Sequence, residues 1–192
     1  LATGASTIDE VSQAVDIILN KNKNICLMQC NTNYTGSDEN FKYVNLKVLS
    51  SFSLFWPGMP LGFSDHTPGH SAVLGAVTLG ARVVEKHFTD DNSREGPDHA
   101  FALNPKTWLT MINATRELEN SLGDGVKRIE DNEKDTIIVQ RRALRASKDL
   151  KAGTIIKEND LTSLRPCLPG DCSPKDLDLV IGKRLINTIK EG

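Results

Sequence analysis

Two of the chain's four histidines, His66 and His87, each close a short apolar run, "PLGFSDH" at 60–66 and "ARVVEKH" at 81–87. Both runs have strand length, and side chains alternate along a strand, so Ser64 shares a face with His66, and Val83 and Glu85 share one with His87. Two imidazoles at equivalent ends of successive strands can converge on one cation. They leave coordination positions open for water or a substrate oxygen, and imidazole suits zinc, iron or manganese. Glu85, one strand step before His87, can orient that ring or a metal-bound water. The plainer alternative is that each histidine only satisfies a strand-end hydrogen bond. His70 and His99 fall on helix starts or loops, where surface roles are expected.

Two further stretches offer polar groups at strand ends. In "EGPDHAF", 95–101, Gly96-Pro97 sets a turn that presents Asp98, as a ligand contact or simply as an Asx-type turn. In "CNTNYTG", 30–36, Thr32, Asn33 and Tyr34 are free to hydrogen-bond.

The elements that must hold these residues alternate. "LATGAS" at the start reads as the end of a strand, so the chain opens as if within a domain. Residues 7–20 have helical apolar spacing and a Thr7–Glu10 capping box. "NICLMQC" is a strand, 40–55 is helical by spacing and stops before Pro57-Gly58, and "PLGFS" is a second strand. "GHSAVLGAVTLG" is a helix stopped by Gly80, "ARVVEKHF" a strand, and Asn104-Pro105 starts a long helix reaching Leu122-Gly123. The result is four strand-helix units with apolar strands, the pattern of a parallel sheet in an α/β protein. An eight-fold strand-helix barrel needs about 250 residues, so four units amount to half of one.

Past residue 123 the character changes. Residues 124–137 form a charged linker, and 138–192 read as a small β-rich domain punctuated by Gly and Pro, with a thin core of its own.

Composition narrows the function. With 39% hydrophobic and 25% charged residues the chain is an ordinary globular one, and a net charge of -2 provides no basic field for nucleic acid or an anionic membrane. Small molecules are the expected partners. Cysteines at 26, 30, 167 and 172 lack CxxC spacing and read as free thiols of a reducing cytoplasm. No apolar run reaches the ~18 residues of a membrane span, and no export signal is visible at the N-terminus.

In order and spacing, "LATGAS", "LMQCNTNY", "GFSDHT", "VVEKHFT", "GPDH" and "RRALRASKDLKAG…RP…IGK" resemble the sialic acid synthase family of N-acetylneuraminate, legionaminate and pseudaminate synthases. The resemblance covers essentially all 192 residues. It implies a (β/α)8 TIM barrel, of which this chain holds the last four strand-helix units (1–123), followed by an antifreeze-like (SAF) domain of the β-clip type. It further implies condensation of phosphoenolpyruvate with N-acetylmannosamine or a related N-acyl hexose to a nine-carbon 2-keto acid.

Carried over residue by residue, His66 and His87 match the family's metal ligands, for manganese first and magnesium or cobalt as alternatives. Thr32 and Ser64 match positions that hydrogen-bond phosphoenolpyruvate, and Tyr34 and Asp98 match positions that contact the sugar. Arg165 matches an arginine that reaches the neighbouring subunit's barrel in a domain-swapped homodimer. Ala2-Thr3-Gly4-Ala5 lacks the serine common in relatives, which moves a phosphate contact to Thr3, and Arg165-Pro166-Cys167 replaces the usual Arg-Pro-Gly. A half barrel exposes two sheet edges, so this length alone is expected to be inactive and prone to associate. The competing readings are another metal-dependent barrel aldolase, and a sugar-binding or regulatory protein on a truncated barrel.

Overall fold

The computed structural model describes residues 1–192. They divide into two compact units, Leu1–Gly125 and Val126–Gly192.

The first unit alternates helix and strand: α1 (Ile8–Leu19), β1 (Leu27–Cys30), α2 (Val48–Phe55), β2 (Leu61–Asp65), α3 (Ser71–Thr78), β3 (Ala81–Lys86) and α4 (Pro105–Leu122). Helix α1 starts where Thr7 and Glu10 cap each other reciprocally. In α4, Pro105 follows the capping residue Asn104, and Gly123 at φ 62° ends the helix.

The strands are parallel in the order β1-β2-β3, with Cys30 opposite Ser64, Ser64 opposite Glu85 and Asp65 opposite Lys86. The opening strand is reduced to one parallel bridge, Ala2 to Met28. Its backbone bonds are Thr3 N–H to Met28 O and Met28 N–H to Leu1 O. Ala5, at φ 55°, then turns the chain away from the sheet. Four strand-helix units are therefore present, with the first strand in this abbreviated form.

The expected helix over 40–55 is split. A 3-10 turn covers Asp38–Tyr43, Asn45 adopts φ 48°, and only then does α2 begin. Asparagine tolerates the left-handed region because its short polar side chain can bond locally, so it breaks a run that apolar spacing alone makes continuous.

One face of the sheet carries the core. Val15, Leu49, Phe52 and Val73 from the helices pack with Leu27, Leu61 and Phe63 from the strands. Each such side chain contributes about 1.5–3 kcal/mol through burial. In β3 the register slips by one residue at Arg82, since Leu61 pairs with Ala81 and Gly62 with Val83. After the slip Val84 packs against the core and Lys86 is buried, whereas Val83 and Glu85 are exposed. Val83 and Glu85 therefore lie on the opposite face, with Ser64 and Cys30, and that face has no helical cover.

The second unit contains α5 (Thr136–Gln140), β4 (Ala143–Ala146), β5 (Leu161–Leu164) and α6 (Leu177–Val180). β4 and β5 pair antiparallel, and single bridges join Leu150 to Ile189 and Ile155 to Arg184. Regular strand is sparser than expected for a β-rich domain, because turns at Gly153, Gly170 and Gly182, all at positive φ, interrupt it. The core is thin, limited to Ala143, Ala146, Leu150 and Ile156. The charged segment at its start includes a 3-10 turn at Asp131–Glu133.

Candidate active site

His66 and His87 directly follow β2 and β3, whose last residues are register partners, so the fold sets the two side by side. Their ring centroids are 5.1 Å apart at 72°. His66 is buried, and its Nδ1 lies 2.8 Å from the carbonyl oxygen of Asn31, at the end of β1. A carbonyl can only accept, so Nδ1 carries the proton and donates; in the neutral ring Nε2 is left with its lone pair. His87 places Nδ1 3.5 Å from Oδ2 of Asp98.

The 30–36 and 95–101 loops close over this pair. The Tyr34 ring centroid is 4.1 Å from that of His66 and 5.5 Å from that of His87. The Phe101 ring lies 5.2 Å from His87 on the other flank. Gly36 permits that closure: at φ 64°, a Cβ there would meet Cβ of Phe101 at 2.4 Å. Four expected residues, His66, His87, Tyr34 and Asp98, thus form one cluster.

The remaining expected residues lie around it or elsewhere. Ser64 is buried two residues before His66 and pairs in register with Cys30, a buried free thiol. Burial, the largest cause, pushes that thiol up, and it likewise pushes Cys26 up, so neither suits a nucleophile. Thr3 is buried and its hydroxyl donates to Met28 O at 2.9 Å, which leaves only lone pairs for a ligand. Thr32 is exposed.

Glu85 lies on the open face without a hydrogen bond, and the carboxylate nearest His87 is Asp98. Glu85 makes no hydrogen bond or ion pair with the His87 ring, whose ion-pair contact is Asp98. Arg165 belongs to the second unit. It is exposed, its Nε donates to Gln140 O at 2.8 Å, and its two terminal nitrogens have no hydrogen-bond partner within the chain.

Several contributors were not anticipated. Asp65 and Lys86, on the covered face, form a buried ion pair at 2.7 Å. Charges in phase with Phe63 and Val84 were the available signal, since those are core positions. His99 is half-buried rather than a surface group, with Nδ1 2.7 Å from the Thr89 hydroxyl. Asn92 ties the loop carrying Asp98 by donating to the carbonyls of His99 and Ala102, both at 2.8 Å.

The donor set suits an open metal site. His66 Nδ1 donates to a main-chain carbonyl and His87 Nδ1 stands 3.5 Å from a carboxylate, the kinds of neighbour that support a metal-ligating histidine. No group of three or more His, Cys, Asp or Glu side chains that could hold a metal ion is present, so His66 and His87 are the only two candidate ligands at this point. A cavity of about 590 Å³ between the start of α1 and α2 has Thr3, Gln29, Tyr43 and Phe52 among its walls and neither histidine.

A parallel sheet covered by helices on one face, with polar side chains gathered beyond the C-terminal ends of its strands, defines an α/β protein whose candidate site lies at the strand ends. The chain belongs to the NeuB family: the family's profile matches residues 1–127, and that of the SAF domain matches residues 141–192.

Among curated relatives, it is 37% identical over 169 residues to the N,N'-diacetyllegionaminic acid synthase of Campylobacter jejuni, covering 86% of this chain and 49% of that one. It is 33% identical to the synthase of the same name from Legionella pneumophila (100% and 54% covered), and 29% to human N-acetylneuraminate-9-phosphate synthase (100% and 52%). The chain spans about half the length of the curated relatives it matches. Among solved structures, the N-acetylneuraminic acid synthetase of Leptospira borgpetersenii, determined with citrate, superposes with a TM-score of 0.62 at 28% identity, covering 71% of this chain and 47% of that one.

Proposed function

We propose that this chain is part of a sialic-acid-type synthase of carbohydrate biosynthesis, contributing the last four strand-helix units of a TIM barrel and the SAF domain. The observation that carries the reading is the His66–His87 pair at adjacent strand ends, 5.1 Å between rings, with Asn31 O and Asp98 on their Nδ1 atoms. The reaction is condensation of phosphoenolpyruvate with an N-acyl hexose, either N-acetylmannosamine or a diacetamido relative of the legionaminate type. The enol carbon of phosphoenolpyruvate bonds to the aldehyde carbon, water adds to the carbon bearing phosphate, and the C–O bond to phosphate breaks. The products are a nine-carbon 2-keto acid and inorganic phosphate.

His66 and His87 would hold a divalent cation, manganese first and magnesium or cobalt as alternatives, which would supply Lewis acidity for the aldehyde oxygen. Tyr34 and Asp98, which flank the imidazoles, hold the sugar at that point. Ser64, Thr3 and Thr32 form the phosphoenolpyruvate side, with Thr3 acting through its oxygen because its proton is donated to Met28. Glu85, exposed on the open face, is placed to orient the attacking water. Arg165 offers its two unpaired nitrogens to the N-acyl oxygen of a substrate bound in the partner subunit of a homodimer, and a planar fork suits an amide oxygen. The enzyme works in the cytoplasm on this reading, which its four free thiols support.

Phosphate release from phosphoenolpyruvate tests the reading, using the full-length protein that carries this chain, manganese and each hexose in turn. Release that depends on one hexose and disappears in His66→Ala and His87→Ala supports it. Release indifferent to both substitutions, or absent with every hexose, rejects it in favour of a binding protein.

A further inference from the structure

On the covered face of the sheet, directly behind the two histidines, lies an ionic network that the proposed reaction does not use. Asp65 ends β2 and Lys86 ends β3; they are register partners, and each immediately precedes a histidine. Lys86 Nζ donates to Asp65 Oδ2 at 2.7 Å and to the Thr67 carbonyl at 2.5 Å. The other carboxylate oxygen, Oδ1, accepts from the Thr67 backbone N–H at 2.8 Å and from its hydroxyl at 2.7 Å. The Lys86 and Asp65 side chains are 2% and 0% exposed. The space bounded by Asn31, Phe63, Asp65, His66 and Thr67 is about 10 Å³, no more than a single water needs.

Such a pair is a poor way to gain stability. Withdrawing two charges from water costs several kcal/mol per ion, and apolar replacements of similar volume are often neutral or stabilising. What the network does supply is geometry. Asp65 and Thr67 bracket His66, and the carboxylate closes an Asx-type turn across it, fixing the backbone from which the ring projects. Lys86 fastens the residue before His87 to both ends of that turn. Because His66 and His87 project from the opposite face of the same two strand ends, the network sets their separation from behind without touching either ring.

We propose that Asp65 and Lys86, with Thr67, are positioning residues that set the distance and ring orientation of the His66–His87 pair. The inference rests on the assignment of both imidazoles to one cation. On this account the ion pair supplies preorganisation of the site and little net stability.

The test is the double variant Asp65→Leu/Lys86→Met in the full-length protein that carries this chain, which replaces the pair by apolar side chains without stranding a charge. Three quantities are measured: the thermal midpoint, the manganese dissociation constant by electron paramagnetic resonance, and the ¹⁵N imidazole resonances of His66. The expected result is an undiminished thermal midpoint, manganese affinity weakened tenfold or more, and a His66 ring that exchanges between tautomers, where the wild type holds the proton on Nδ1. A folded double variant with wild-type affinity and a single Nδ1–H tautomer overturns the proposal.

Should the double variant not fold, Thr67→Val removes one hydroxyl bond to Asp65 and keeps the ion pair. A severalfold weaker manganese affinity with a mixed His66 tautomer then supports positioning, and no change in either rejects it. If the wild type binds no divalent cation, the proposed function is what fails, and the His66 resonances alone decide the positioning role.

Discussion

Thr32 packs directly over Gly4: a Cβ added to Gly4 would lie 2.2 Å from Cγ2 of Thr32 and 3.0 Å from Sγ of Cys30. The loop that follows β1 is therefore seated on the turn that ends the opening strand, and two of the residues assigned to phosphoenolpyruvate, Thr3 and Thr32, border this one contact.

Gly4→Ala is expected to destabilise the first unit by about 1–3 kcal/mol, the usual cost of overpacking, because Cys30 blocks one direction of retreat. Thr32 must move away, so the KM for phosphoenolpyruvate rises with the loss of stability. Urea unfolding followed by the fluorescence of Trp56 and Trp108 measures the first effect, and steady-state kinetics the second. An unchanged midpoint would mean that the loop has no fixed seat.

Asp98→Asn keeps the side-chain shape but removes the charge 3.5 Å from His87 Nδ1. Outer partners of metal-bound histidines are worth about 10–100-fold in metal affinity. With its side chain 48% exposed, Asp98 belongs at the lower end, about tenfold. A manganese titration of the variant reads this directly. Equal affinity in variant and wild type would leave Asp98 with a sugar contact only.

Much of this arrangement was legible in the sequence, for physical reasons that differ by element. The strand-end position of His66 and His87 follows from apolar runs bounded by turn residues, and the Thr7–Glu10 and Asn104–Pro105 signals locate the starts of α1 and α4 because capping is local chemistry. The break at Asn45 was not legible, since apolar spacing continues through it and only the backbone angle shows the interruption. The orienting role of Asn31 was hidden as well: the acceptor is its main-chain carbonyl, which every residue has, and only the three-dimensional approach of β1 to β2 selects it. For Asp65 and Lys86 the signal existed as charges in core phase, and their partnership depended on a register that two separate strands cannot show until they are paired.

Acid should loosen the second unit through three carboxylates. Lys190, and then the Glu191 N–H, hold Asp149 below the usual carboxylate range; Lys148 and the Lys157 N–H do so for Asp160, and Arg145 and the Leu168 N–H for Asp171. A folded-state value below the unfolded one means that the native state binds fewer protons, so the stabilisation is complete above the ordinary carboxylate value of about 3.9 and is lost as pH falls below it and through the lower folded-state values. Amide resonances of β4 and β5, followed from pH 7 to pH 3, should lose dispersion only at the acid end. Asp171→Asn should flatten part of that dependence. A second unit whose stability is level across the range would contradict the assignment.

Arg165 separates binding of the hexose from everything else. Its only hydrogen bond within the chain runs from Nε to Gln140 O, and the loop around it is braced independently, because Arg145 donates to Pro166 O at 3.0 Å and to Asp171 Oδ2 at 2.6 Å. Arg165→Ala should therefore leave the thermal midpoint within about 0.5 kcal/mol of wild type, the usual range for surface substitutions, while the KM for the hexose rises about tenfold or more and that for phosphoenolpyruvate stays constant. Arg165→Lys should not restore the hexose KM, since an ammonium lacks the planar pair of donors that spans an amide oxygen. Equal rises in both KM values would show a damaged loop, and wild-type kinetics for Arg165→Ala would remove this residue from the substrate site.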